Sequence, residues 1–100
     1  MIAKGGYVYI ITNKRFTVLY TGVTSNLQVR IQQHREKYFP GSFTARYNCM
    51  ILVFYRFFDT IVEAIKEEKR IKGGSRAQKI KLVNSINPDW FDLWEDVKNW

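Results

Sequence analysis

The sequence is short of several residue types, and each shortage closes a class of explanation. Its one cysteine, Cys49, has no partner for an intramolecular disulfide. Its one histidine, His34, cannot complete with that cysteine the tetrahedral ligand set of a structural zinc site. Acidic residues are also scarce: nine Asp and Glu face sixteen Lys and Arg, leaving a net charge of +7 and a pI near 9.7. So basic a chain favours polyanionic partners, nucleic acid first and an acidic membrane surface second. No apolar run approaches the roughly 20 residues of a spanning helix. The longest, Met50 to Tyr55, suits a strand, which leaves no membrane association expected. The opening Met-Ile-Ala-Lys-Gly-Gly is too short and polar for a signal peptide, so a soluble cytoplasmic protein is expected. With no repeat, low-complexity tract or linker, the 100 residues, 46% of them apolar, read as one domain over 1–100.

What is there falls into an α+β pattern. Tyr7 to Thr12 and Thr17 to Val23, rich in aromatic and β-branched residues, flank Asn13-Lys14-Arg15-Phe16 as a β-hairpin. A third strand over Met50 to Phe57 is apolar almost throughout, which predicts burial on both faces and a central place in the sheet. Ser25 with Gln28, Thr60 with Glu63 and Ser75 with Gln78 are spaced as capping boxes. They open helices to about Lys37, Lys72 and Asn84, with Gly73-Gly74 closing the second. Asn87-Pro88 reads as the start of a final helix packed through Trp90, Phe91, Leu93 and Trp94. The order β-β-α-β-α-α-α predicts a small mixed or antiparallel three-stranded sheet flanked by helices.

Four residues stand out on this frame. Pairing Thr12 with Thr17 places Tyr9 opposite Tyr20 and Tyr7 opposite Gly22, with both tyrosines on one face. On those residues alone this is cross-strand packing, which needs no catalytic reason. On the helix after Ser25, Leu27, Ile31 and Tyr38 mark the inward stripe, and Arg30 and His34 fall on or beside it. Arg30 in that position either points its cation at the sheet or snorkels its head into water. Glu68 lies within the stripe of Ile61, Ala64, Ile65 and Ile71, whereas Glu67 points outward. A carboxylate on an apolar face needs a salt bridge or a bound cation, and one carboxylate suits a hydrated magnesium ion better than a closed site.

Taken together, Tyr7-Val8-Tyr9, Tyr20-Thr21-Gly22, Arg30, His34, Glu68 and Asn87 resemble the GIY-YIG (URI) nuclease domain of intron homing endonucleases and excision-repair nuclease subunits. The small stand-alone bacterial members are the nearest match, over Gly6 to Trp94. The resemblance implies that Tyr9 activates or positions the attacking water and that Tyr20 supports it by hydrogen bonding. It further implies that Arg30 holds the scissile phosphate, that Glu68 binds one divalent cation, Mg2+ or Mn2+, and that Gly22 permits a close approach. His34 would assist proton transfer. Asn87 matches a late asparagine of the family, yet an Asn before Pro is also an ordinary helix start. Tyr7 stands where the first motif has glycine, and Thr21 where the second has isoleucine, and both tyrosines are kept. A tyrosine base is demanding because its ordinary pKa is about 10, so either it is lowered nearby or it only orients water.

Around Gly73-Gly74, the cations Lys69, Lys72, Arg76 and Lys79 form a ridge for phosphate binding or, equally, a solvated helix face. The expected function is a metal-dependent endonuclease acting on DNA rather than RNA, in repair or structure-specific processing. The alternatives are a nucleic-acid-binding module with little catalysis and an interaction domain whose basic face docks a protein or membrane. A protein partner or self-association stays open, and no length is left for an appended targeting domain.

Overall fold

A computed structural model describes residues 5–100, so Met1 to Lys4, most of the stretch read for a signal peptide, lies outside the described residues. Strand β1 (Gly6–Thr12) organises the rest, because its apolar side chains go to two cores. Val8 and Ile10 join Val53, Phe54, Ala64, Ile71 and Val83 on one face. Tyr9 and Ile11 join Leu27, Ile31, Cys49, Leu52, Trp94 and Val97 on the other. The sheet order is β2-β1-β3, with β2 at Leu19–Thr24 and β3 at Ile51–Phe58, and both pairings are antiparallel. Helices α3 (Ile61–Lys72) and α4 (Arg76–Ile86) supply the first core, α1 (Leu27–Arg35) and the short α5 (Trp94–Val97) the second. A single turn, α2 (Phe43–Arg46), precedes β3. The α+β class holds, with an all-antiparallel sheet.

Several local expectations are corrected. β3 is an edge strand and β1 the central one. An apolar run reports that both faces are covered, as at Leu52, Val53 and Phe54, and says nothing about whether both backbone edges are paired. The outer edge of β3 is closed by the chain after α4. The Leu93 N–H donates to the Leu52 carbonyl at 2.7 Å, and the Leu52 N–H donates to Asp92 Oδ1 at 3.1 Å. Such cover removes a template for strand addition. A bulge between Ile10 and Ile11 leaves Val53 unpaired in the ladder, with Ile10 opposite Phe54 and Ile11 opposite Leu52.

The hairpin register is two residues from the expected one: Tyr9 faces Gly22, Tyr7 faces Thr24 and Ile11 faces Tyr20. Asn13 causes the shift. Its Oδ1 accepts from Thr17 N at 2.8 Å and Val18 N at 3.1 Å, so those donors fold into the loop instead of pairing with β1. A two-residue slip preserves the face of every side chain, so Tyr9 and Tyr20 remain on one side as diagonal neighbours. The α1 cap is Asn26, which accepts from Val29 N, not a Ser25–Gln28 box. Helix α1 stops at Arg35, and Tyr38 is exposed rather than inward. Thr60 caps α3, and Ser75 with Gln78 forms the full reciprocal box on α4. In the α3 stripe Ala64, Glu68 and Ile71 are buried, while Ile65 sits at the rim. Asn87 does not begin a helix; it ends α4, and the chain turns through Pro88 and Asp89 to α5, leaving Phe91 exposed.

Candidate active site

Tyr9 is 1% exposed, and its ring lies across β2 where Gly22 offers no side chain. A Cβ at position 22 would stand 2.4 Å from the Tyr9 hydroxyl, so glycine is required there by close approach and not by backbone angle. The hydroxyl meets His34 Nε2 at 2.8 Å, and His34 Nδ1 meets Thr44 Oγ1 at 3.0 Å. Thr44 Oγ1 in turn lies 3.3 Å from Ser42 Oγ, giving a chain of polar atoms from a buried phenol to the α2 turn. Tyr20 completes the group, with its ring centroid 6.5 Å from that of Tyr9 and 5.9 Å from that of His34.

The electrostatics follow from burial. Desolvation raises the Tyr9 pKa well above the ordinary tyrosine range, and the nearby Arg30 cation only partly opposes it. His34 is pushed down to about 4, first by burial and then by the same Arg30 charge, so it stands neutral at neutral pH. Arg30 is half-buried, with Nη1 donating to Gln33 Oε1 at 3.1 Å, and it reaches both Tyr9 and His34 electrostatically. Its head therefore faces the sheet.

Glu68 is the one buried carboxylate among the described residues, at 8% exposure. Its Oε2 lies 2.7 Å from Lys72 Nζ, and that ammonium sits 5.6 Å from the Tyr20 ring centroid. The Glu68 hydrogen bond raises the Lys72 pKa and fixes it as a cation. No cluster of three or more His, Cys, Asp or Glu able to hold a metal occurs among the described residues. A buried carboxylate compensated only by the end of a half-exposed lysine fits a hard, largely hydrated divalent ion, provided Lys72 swings aside.

Tyr9, Tyr20, Arg30, His34 and Glu68 are thus brought together, and Asn87 is not joined to them by any hydrogen bond. Its Nδ2 donates to the Val53 carbonyl at 3.0 Å and the Phe91 carbonyl at 2.9 Å, and its Oδ1 accepts from Phe91 N at 3.0 Å. The whole amide is spent on holding the bulge in β3 to the loop beyond α4. The basic ridge is partly internal as well. Arg76 donates to the Phe16 carbonyl at 2.9 Å and Lys79 to the Gly74 carbonyl at 2.7 Å, while Lys69 is exposed. Sequence reasoning did not foresee Thr44 as the partner of His34 Nδ1, nor Ser42 beyond it. Phe43, Thr44 and Tyr47 resemble a segment that the small family members also carry, but a hydroxyl in a turn has no helical spacing to residue 34 that would have paired the two.

Fold and site together define an α+β domain that gathers two tyrosines, a histidine, an arginine and a carboxylate beside the edge strand β2 of a three-stranded sheet. Residues 5–81 match the GIY-YIG catalytic domain. A UPF0213 protein of Syntrophus aciditrophicus is 35% identical over 83% of this chain and 93% of its own. One from Staphylococcus haemolyticus is 36% identical over 77% of this chain and 92% of its own. The solution NMR structure of the UPF0213 protein BH0048 from Bacillus halodurans superposes with a TM-score of 0.57 at 28% identity, covering 88% and 92% of the two chains. The chain belongs to the GIY-YIG catalytic domain family, a family of nuclease domains. No helix among the described residues is long and apolar enough to cross a membrane.

Proposed function

We propose that this protein is a divalent-metal-dependent endonuclease that hydrolyses DNA phosphodiester bonds, with Tyr9, Tyr20, Arg30, His34 and Glu68 as its working residues. The observation that carries the reading is the 2.8 Å contact between the buried Tyr9 hydroxyl and a neutral His34. A phenol with a raised pKa cannot wait as a phenolate, but it can take a proton from water while passing its own to His34 Nε2. His34 Nδ1–H then donates to Thr44 Oγ1. The resulting hydroxide attacks phosphorus, the bond from phosphorus to the leaving oxygen breaks, that oxygen takes a proton from solvent, and the His34 imidazolium returns its proton to solvent through the Tyr9 hydroxyl. Arg30 binds the phosphate, and that anion removes part of what holds the His34 pKa down, so the acceptor strengthens when substrate arrives. Tyr20 packs beside Tyr9 and His34 and holds the ring group in place. Glu68 would hold the Mg2+ or Mn2+ ion, which supplies charge stabilisation at the phosphate. Asn87 acts as a clamp on β3. Lys69 and Lys72 contact phosphates flanking the site, and Arg76 and Lys79 contribute from beside the α4 start.

The test is cleavage of a labelled panel of single-stranded, duplex and branched DNA with and without magnesium or manganese. Wild type should cut only with metal, and Glu68→Ala and Tyr9→Phe should each lose the activity by about a hundredfold or more. No cutting of any substrate, with salt-dependent binding intact, would make the domain a binding module.

A further inference from the structure

The segment from Tyr38 to Tyr47 has a pattern that the nuclease reading, on which this inference rests, does not use. A helical turn on a protein surface normally buries its apolar residues and exposes its polar ones. At α2 two positions depart from that order: Thr44 is buried and Phe43 is 48% exposed, and Tyr47, just past the helix, is 45% exposed. Phe39 and Tyr38 beside them are more exposed still. The rings run in file from the site outward. Tyr20 and Phe43 are stacked, with centroids 6.1 Å apart and planes at 30°, and Phe43 and Tyr47 follow at 4.7 Å.

Cations flank the rings. The Arg46 guanidinium lies 6.0 Å from the Tyr47 centroid, and Arg30 lies 5.6 Å from that of Phe39. No Asp or Glu occurs between Glu36 and Asp59. A ligand for this surface must present flat π faces and negative charge together. Unpaired nucleotides do so, whereas duplex DNA keeps its base faces inside its own stack. We propose that Phe43 and Tyr47 form a base-stacking platform that seats an unpaired strand of DNA beside the active site, so that the substrate is single-stranded next to the bond that is cut.

The experiment measures affinities of the full chain for a fluorescein-labelled single strand and for its blunt duplex, in EDTA so that nothing is cut. Phe43→Ala, Phe43→Leu and Tyr47→Ala should each weaken single-strand binding by about tenfold and duplex binding by less than about twofold. Phe43→Trp should restore single-strand affinity. Both rings are half-exposed, so melting temperatures should stay near wild type; Phe43→Leu, which keeps apolar bulk without a ring, carries the test if alanine disturbs the turn. Equal weakening on both ligands, or none, would overturn the platform, and the second outcome is also what a protein partner for this surface would give. The two readings fail separately. Cutting that depends on Glu68 but accompanies unchanged single-strand affinity in Phe43→Ala sinks the platform alone. A ring-dependent single-strand preference without any cutting sinks the nuclease alone.

Discussion

Gly22 shows how tightly the site is filled at the scale of single residues. Adding one methyl group there would drive the Tyr9 hydroxyl off His34, since its Cβ would lie 2.4 Å from that oxygen. Gly22→Ala should therefore lower cleavage by about a hundredfold while the chain still folds, read as kcat on a labelled strand beside a thermal melt. Thr21, its neighbour, has a buried hydroxyl with no hydrogen-bond partner. Replacing that hydroxyl by a methyl removes a desolvated polar atom at nearly constant volume. Thr21→Val should raise stability by up to about 1 kcal/mol, measured by denaturant midpoint, and a clear loss would reveal a hidden partner. His34 makes a pH prediction. Its pKa is 6.5 by reference and about 4 in the fold, so below 6.5 the unfolded chain binds a proton that the fold refuses. The stability that comes from housing it neutral is complete above about 6.5 and is lost as pH falls towards 4. The gap in melting temperature between wild type and His34→Gln should shift in favour of the variant across that window, and parallel curves would exclude His34 as the group responsible.

At the scale of elements, β3 and the chain that covers its edge form the unit most exposed to a single loss. Asn87 is 4% exposed and its side chain makes three hydrogen bonds, one of them to the Val53 carbonyl that the bulge takes out of the ladder. Asn87→Ala should cost about 3 kcal/mol, a drop in Tm on the order of 15 °C, yet leave kcat per folded molecule near wild type. A fall in kcat at full stability would return Asn87 to the chemistry. The caps illustrate which element signals can be read in one dimension. Ser75 with Gln78 folds as its spacing predicts, whereas Ser25 loses the α1 cap to Asn26, one residue on, because both residue types can accept from the same kind of donor. The edge position of β3 had no local signal at all, since face burial and edge pairing are independent properties of a strand.

Across the whole molecule, the net charge of +7 is unevenly committed. Lys72 pairs with Glu68, Arg35 with Asp92 and Arg70 with Glu67, while the stretch around α2 has no acidic residue to oppose its cations. Nucleic-acid affinity should fall steeply with salt, and Arg46→Ala should reduce the slope of log K against log salt by about one contact. The composition, the tyrosine, arginine and glutamate motifs, the α+β class and the faces of Tyr9, Tyr20 and Glu68 were all determined by the sequence itself. They depend on residue type and on periods of 2 and 3.6, which are local. The hairpin register, the central place of β1, the Tyr9–His34–Thr44 chain and the clamp role of Asn87 were decided only by tertiary structure. Each depends on which distant backbone or side-chain atoms compete for one donor or one edge, and that competition is settled only when the layers close on one another.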